Sequence, residues 1–456
     1  MNNSPWLKQL NRKRPVATLD KIDRTHIAVI GGGIAGVSTA YFLLQKTDKK
    51  ISLFEAGKIA HGATGHNAGQ VVADFERPFK DLVEEYGLEK AAAGVRGVEN
   101  AWILLEEMIR DAEMKTPFST FIASDGYVSL EQLLLKLEET HLRNMAGLPV
   151  YPVLISKHVS YDSIPVLYRP YVTVTDHENI LSLLESKDSS YIALSQTRGG
   201  CMNSALFTEE IVEFLLERYK GRFVLAEHTP VKEVVLAGEG ALLRIPQGTA
   251  HVERVILCTN GFEYIKIKNL LGTNIDMKFH HGVNGYVGYM SAYTDTLDRA
   301  PTAIAYYNLP STDPDDPYFY LTRRPYDLDG KHPGMNLVSV GGPGVWLPDS
   351  RSYAGTSKYP KDFEKTIKQF VNKTYDHAPD KIEYEFMWHG LMGFTKNYLR
   401  LIGEEPCNKV LLYNLGCNGV GILSSIYGAD RISDILTGKR VDASIFDPQD
   451  QTCVID

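Results

Sequence analysis

The sequence predicts an α/β fold, and three observations predict it. An apolar strand runs through a glycine-rich turn into a helix near the start of the chain, and a second strand, glycine turn and helix lie near its end. Between them, residues 280–342 are rich in aromatic and β-branched residues, which predicts an antiparallel sheet with two distinct faces. With 456 residues the chain exceeds one ordinary core, so two closely joined domains are expected.

Residues 1–24 form a polar, basic arm with Lys8, Arg12, Lys13 and Arg14 and no apolar core of a secretory signal. The first motif follows, with Ile27, Ala28, Val29 and Ile30 leading into Gly31-Gly32-Gly33-Ile34-Ala35-Gly36 and a helix to Leu44. Gly31 permits the tight turn out of the strand, Gly33 lets backbone approach a pyrophosphate, and Gly36 lets helix pack on sheet. The N–H groups of the helix start at Ile34 and Ala35 hold an anion. A second strand, Ile51-Ser52-Leu53-Phe54, ends in Glu55 and Ala56, where the carboxylate accepts hydrogen bonds from a ribose. The expected ligand is a dinucleotide with a free 2′-hydroxyl.

Next comes His61-Gly62-Ala63-Thr64-Gly65-His66-Asn67-Ala68-Gly69-Gln70, too rich in small residues for core and too patterned for a linker, so it is placed near the ligand. Apolar residues recur every three or four positions over 82–114 and 130–143, which predicts a helical layer. A helix over 208–219 precedes strands at 222–226, 231–236, 241–245 and 255–258. Residues 280–293, 318–322 and 337–342 supply the antiparallel strands, a wall for a substrate pocket, and 309–317 reads as an exposed loop. Finally, the strand 410–413 turns through Asn414-Leu415-Gly416-Cys417-Asn418-Gly419-Val420-Gly421 into a helix over Ile422 to Leu436.

Composition narrows the function classes. A hydrophobic fraction of 44%, a charged fraction of 23% and a net charge of -8 describe a soluble globular protein without the basic footprint of a nucleic-acid binder. No stretch reaches membrane-spanning length. Five scattered cysteines show no metal spacing, so no metal is expected, and reduced thiols in a cytoplasmic protein are the simplest reading. Pairs such as Glu106-Glu107 and His280-His281 carry no trusted acid/base or metal spacing, and no Ser-His-Asp pattern stands out.

Two glycine-rich helix starts at opposite ends of one chain need a common explanation, and a flavin dinucleotide supplies it. One end anchors pyrophosphate, while the helix start at Gly419-Val420-Gly421-Ile422 stabilises the negative charge that a flavin gains on reduction. The alternative is that Gly416, Gly419 and Gly421 only allow a sharp turn in a packed core.

These residues resemble the FAD-dependent amine and amino-acid oxidoreductases of the D-amino-acid oxidase and sarcosine oxidase superfamily. The likeness spans residues 29–36, the loop 62–70, Val255 to Gly261, Trp388-His389-Gly390 with Leu401-Ile402-Gly403, and the closing Gly416 to Gly421. The loop looks most like the γ-glutamylputrescine oxidase branch, which usually carries arginine where His66 stands. The resemblance implies that Val231 meets adenine through its backbone, that Thr259, Asn260 and Gly261 close over the dinucleotide, and that Gly390 lies beside the flavin. It also implies a Rossmann-type FAD domain made of residues 25–75, 195–265 and 385–445, a substrate domain of 76–194 and 266–384, and a tail over 446–456. Departures are visible too: relatives often read Thr-Pro-Asp-Gly-x-Pro where this chain has Thr395 to Arg400. A lysine that assists oxygen in sarcosine oxidases has its counterpart near Ser339, so the electron acceptor stays open between oxygen and another molecule. In the dimethylglycine dehydrogenase branch a histidine in a similarly spaced loop carries the flavin covalently. His66 is therefore either an attachment point or a non-covalent neighbour, and acid precipitation separates the two.

The expected reaction is oxidation of a primary or secondary amine, including an amino acid, by hydride transfer from the carbon beside nitrogen to flavin N5, followed by imine hydrolysis. For substrate, Arg323 and Arg324 can bind a carboxylate bidentately, or form ordinary salt bridges. Tyr286, Tyr289 and Tyr320 can cage an amine, or be simple core. Two rivals remain at this point: a nicotinamide-dependent dehydrogenase, and a protein in which FAD is a structural ligand only. The oligomeric state is not readable.

Overall fold

A computed structural model describes residues 2–19, 25–261, 265–276, 282–295, 299–310, 318–326 and 334–449. His280, His281, Cys453 and the loop 311–317 lie outside the described residues. Six strands form the cofactor-side sheet, in the order Leu401–Glu404, Leu411–Leu415, Arg254–Leu257, Ile27–Ile30, Ile51–Phe54 and Phe223–Ala226. All neighbours are parallel except the first pair. Ile27–Ile30 and Ile51–Phe54 are buried at every position, as expected for a parallel sheet covered on both faces. Alternation divides their side chains. Ile27 and Val29 join the core beneath the helices Ile34–Lys46, Ser204–Arg218 and Ile422–Leu436, while Ala28 and Ile30 join a second core under a four-stranded sheet spanning Glu233–Leu236 to Lys266–Asn269.

The larger sheet has ten strands and follows the order Phe386–Phe394, Asn284–Asp295, Asn336–Leu347, Phe319–Pro325, Thr302–Tyr307, Phe118–Tyr127, Ala193–Met202, Val153–Ser156 and Val172–Thr175, with Gln70–Val72 also on Ala193–Met202. The fold class is therefore the expected α/β, with several sheets. Residues 195–202 and 386–394, expected with the cofactor part, hydrogen-bond into this larger sheet. The helical periodicity over 82–114 is carried by two helices, Phe79–Tyr86 and Leu88–Asp111, with Gly87 at φ 79 between them.

The N-terminal arm is docked. Trp6 is fully buried against Trp388, its ring 6.1 Å away edge-on, and its indole donates to Asn67 O at 2.5 Å. Arg12 and Arg14 both pair with buried Glu209 and Glu227 at 2.6–3.1 Å. Burial pushes the Glu227 carboxyl up, but Arg14 and the N–H groups of Ile59 and Ala17 outweigh it and bring it down to about 2. Cys201, Cys258 and Cys417 are free thiols, whereas Cys407 is disulfide-bonded, which corrects the expectation of reduced thiols at that position. Among the described residues, no helix is long and apolar enough to cross a membrane, and no cluster of His, Cys, Asp or Glu is arranged to hold a metal.

Candidate active site

A cavity of ≈ 890 Å³ runs from the first glycine turn to the last and on into the larger sheet. That volume is in the range of small-molecule sites. Its cofactor end is built mostly from backbone. Gly31, Gly33, Ile34, Ala35, Glu55, Ala56 and Val231 line it, with Thr259 and Asn260 opposite. Gly31 takes φ 111, where a Cβ would come within 2.6 Å of Cys258 O, and a Cβ on Gly36 would overlap Gly31 O. Gly36 is thus a packing residue beneath the turn and does not face the cavity. Thr64 Oγ1 accepts from Ile34 N at 3.0 Å and ties the 62–70 loop to this helix start. Glu55 accepts from the N–H groups of Gly32 and Gly57, each at 2.7 Å, and burial nevertheless holds its carboxyl above the ordinary carboxylate value.

In the middle stand Gly62, Ala63, Thr64, His66, Asn67, Ala68, Gly69 and Gln70, with Gly390 across from them. A Cβ at 390 would lie 2.7 Å from His66 O, so this strand reaches the loop only because it carries glycine there. His66 Nδ1 lies 2.9 Å from Gly62 O, to which it donates, leaving the lone pair on Nε2. Burial lowers the pKa of His66, which keeps the ring neutral. Gly419, Val420, Gly421 and Ile422 close this part. Gly416 and Asn418 do not line the cavity: they shape the turn, at φ 78 and φ 44, with Asn418 Oδ1 accepting from Thr395 N at 2.8 Å. Asn260 Oδ1 accepts from Cys417 N at 2.8 Å and ties the segment after the strand Arg254–Leu257 to the second glycine turn. Gly261 packs on Val283 outside the cavity.

Beyond these turns the wall is aromatic and acidic. Tyr286, Tyr307, Tyr318, Tyr320 and Trp346 line it together with Asp74, Glu76 and Asp125. Tyr307 stacks on Tyr318 at 4.8 Å, and Tyr286 meets Trp346 edge-on at 5.0 Å. The glycines of the strand Asn336–Leu347 make room for two of these rings: a Cβ on Gly341 or Gly344 would overlap Tyr320 or Tyr286. Tyr318 donates to Glu76 Oε1 at 3.2 Å, and Ser195 to Asp125 Oδ2 at 3.3 Å. Burial first, then Asp74, pushes the Glu76 carboxyl up to about 7, and burial brings Asp125 to about 6.

Of the expected substrate residues, Tyr286 and Tyr320 reach the cavity and three do not. Tyr289 is three positions from Tyr286, so the strand alternation turns it to the opposite face, against Tyr359, Phe363 and His389. Arg323 is held by Glu185 at 2.5 and 2.7 Å, by Ala300 O and by the Tyr375 hydroxyl. Arg324 donates to Gln9 Oε1 at 2.5 Å and lies over the Trp6 ring. Neither guanidinium is available to a carboxylate in the cavity. Ser339 is buried in the larger sheet and does not line the cavity either. The acidic residues were missed by the sequence reading. Their signal is the alternation of Asp74 and Glu76 just after the strand Gln70–Val72, which puts both on one side of an extended segment.

A family profile described as FAD dependent oxidoreductase (DAO) matches residues 26–435. The chain belongs to this family. It is an enzyme, and FAD is its cofactor, so the nicotinamide reading and the structural-ligand reading both fall. The residues present fit that group: both helix starts carry glycine at the N-cap and open onto the same cavity, although the Ile34 N–H, expected to hold an anion, is given to Thr64 Oγ1. Among curated relatives, gamma-glutamylputrescine oxidoreductase of Escherichia coli is 30% identical over 89 residues, 20% of this chain and 21% of that protein. The chain thus matches only about a fifth of that relative's length. Among solved structures, glycine oxidase from Bacillus cereus superposes with TM-score 0.64 at 16% identity, over 92% of this chain and 96% of that one. L-proline dehydrogenase from P. horikoshii gives TM-score 0.66 at 17% identity, over 92% and 95%. At such identities the likeness is one of fold.

Proposed function

We propose that this DAO-family enzyme oxidises the CH–NH bond of a small amine. The observation that supports the reading is the position of Glu76. Its carboxylate lies over the second glycine turn, close enough that a Cβ on Gly419 would come within 2.5 Å of Oε1, and the same carboxylate faces the tyrosine-lined end. An amine arriving as an ammonium ion must lose a proton before its α-carbon can release hydride. Glu76 Oε1, with its carboxyl raised to about 7, accepts that proton, giving a neutral amine and a neutral acid. Bound FAD supplies the acceptor for the hydride.

The rest of the work falls to placement. Tyr286, Tyr318 and Tyr320 flank the substrate and exclude water, and the N–H groups at the start of Ile422–Leu436 offset negative charge developing nearby. Residues Gly31 to Ala35, Glu55 and Val231 hold the dinucleotide, with the 62–70 loop over its middle. The imine product hydrolyses in water without a protein nucleophile.

Anaerobic titration of the purified yellow protein with a panel of amines and amino acids tests this. Bleaching of the flavin by an amine is expected, and subsequent admission of air reports whether oxygen or another acceptor takes the electrons. Persistence of the oxidised spectrum with every amine would overturn the reading.

A further inference from the structure

The charge lining the far end of the cavity restricts the substrate further than the reaction class does. Asp74, Glu76 and Asp125 all face this space. The cations among the cavity-lining residues are at other places. Lys232 follows Val231 at the dinucleotide end, and Arg400 is turned into the second glycine turn, donating to Asn414 Oδ1 at 2.5 Å, Asn414 O at 2.9 Å and Gly416 O at 3.3 Å. Arg323 and Arg324 are committed elsewhere, as described. Behind the acids lie Lys136, whose Nζ is 3.3 Å from Glu139 Oε2 and whose charge acts on both Asp74 and Asp125, and Arg143, which pairs with Glu99 and acts on Asp74. Two cations, each with a carboxylate of its own, leave the three acids short of positive charge.

Asp74 makes the point most clearly. Its side chain opens into the space of the cavity, and the hydrogen bond it accepts is from the N–H of its own neighbour, Phe75. Desolvation by the protein packed around the cavity raises its carboxyl above the ordinary value, as it does for Glu76 and Asp125. Ionised carboxylates in such a place are unfavourable unless a cation joins them. A substrate carboxylate there would meet like charge. An ammonium group would meet three carboxylates among the cavity-lining tyrosines Tyr318 and Tyr320, surroundings that favour a cation.

Resting on the amine-oxidising reading above, we propose that the substrate is a diamine or polyamine: one amino group is oxidised beside Glu76, and a second, protonated amino group is held by Asp74 and Asp125. The chemical class is an aliphatic amine with two or more amino groups and no carboxylate at that end. The reacting amine gives its proton to Glu76, while the remote one keeps its own.

The test uses three probes of similar length on the FAD-loaded enzyme under anaerobic conditions: 1,4-diaminobutane, butylamine and 4-aminobutanoate, with 1,3-diaminopropane and 1,5-diaminopentane to cover spacing. The remote group is positive, absent or negative in turn. Dissociation constants are read from the perturbation of the flavin spectrum, and reduction is followed separately as bleaching. The best diamine is expected to bind at least thirtyfold more tightly than butylamine, with 4-aminobutanoate weaker still. In Asp125→Asn, and independently in Asp74→Asn, the diamine-to-butylamine ratio is expected to fall at least tenfold, whereas a merely structural defect would weaken all probes in parallel. Equal binding of butylamine and the diamines, tighter binding of 4-aminobutanoate, or no spectral change with any diamine would overturn the inference. Tight diamine binding without bleaching would uphold it and overturn the oxidation reading instead.

Discussion

The two ends of the cavity are made from different material. The end between the two glycine turns is lined by glycines that leave room for close approach and by the starts of two helices. At the substrate end the lining comes from side chains, with Tyr286, Tyr307, Tyr318, Tyr320, Trp346, Asp74, Glu76 and Asp125 contributed by several separate strands and one extended segment. A backbone cradle offers the same groups whatever the side chains, so it tolerates drift everywhere except at its glycines. A basket of side chains can change its preference one residue at a time while the sheet beneath it stays the same.

The sharpest way to break this contrast is at Gly36. A Cβ there would overlap Gly31 O, a backbone atom that cannot swing aside. Gly36→Val is expected to yield protein with at least tenfold less flavin per chain, read from the ratio of visible to ultraviolet absorbance. Normal flavin content in that variant would show that the first turn is not the tight cradle described here.

That contrast also explains what was legible in the sequence. The turn at Gly31 to Gly36, Glu55 and the helix start at Ile422 are each specified by a few consecutive residues, so the fold class and the cofactor end could be read from local pattern. Family resemblance extended this to Val231, Thr259 and Gly390. The substrate end depends on which face of a strand a residue occupies once register and bulges are set. In the strand Asn284–Asp295 alternation runs unbroken, with Tyr286, Gly288 and Met290 lining the cavity and Tyr289 on the far face, so the three-position offset alone separates Tyr286 from Tyr289. Arg323 and Arg324 were plausible carboxylate forks because their partners Glu185 and Gln9 are 138 and 315 residues away in sequence. No local pattern reveals such pairings.

A second prediction concerns support for the cradle from behind. Trp6 is fully buried and donates to Asn67 O, and a Cβ on Gly69 would lie 2.8 Å from its ring. Trp6→Ala is expected to lower unfolding stability by about 3–5 kcal/mol, measured by urea denaturation. Because the cavity it leaves adjoins the 62–70 loop, flavin dissociation should speed up as well. A loss below about 1 kcal/mol would mean the arm merely rests on the surface.

At the substrate end the expected effects are smaller and one has the opposite sign. The Glu76 carboxyl is raised to about 7 in the folded protein, so its neutral form is favoured by folding. The stability associated with it is fully present below the ordinary carboxylate value and is lost as pH rises through 7. Glu76→Gln keeps the neutral shape at all pH values. In thermal melts of substrate-free holoenzyme the variant should be more stable than the parent at pH 8, by at most about 3 kcal/mol, and indistinguishable near pH 4. Amine-driven bleaching should slow by about 10²-fold or more, the usual range for loss of a proton acceptor. A melt profile with the parent's pH slope would mean that Glu76 is already compensated by a charge.

The smallest effect, and the one that most sharpens the assignment, is expected from Tyr318→Phe. Its hydroxyl donates to Glu76 Oε1 and is the contact that lowers this carboxyl against burial and Asp74. The ring itself stacks on Tyr307 and would remain. Removing the donor should therefore raise the Glu76 pKa by up to about one unit, corresponding to a hydrogen bond of about 1 kcal/mol, and shift the acid limb of the bleaching rate to higher pH by the same amount. An unchanged limb would separate Glu76 from the proton step even if Glu76→Gln is slow, because a purely steric role for that carboxylate would not respond to the loss of one neighbouring hydroxyl.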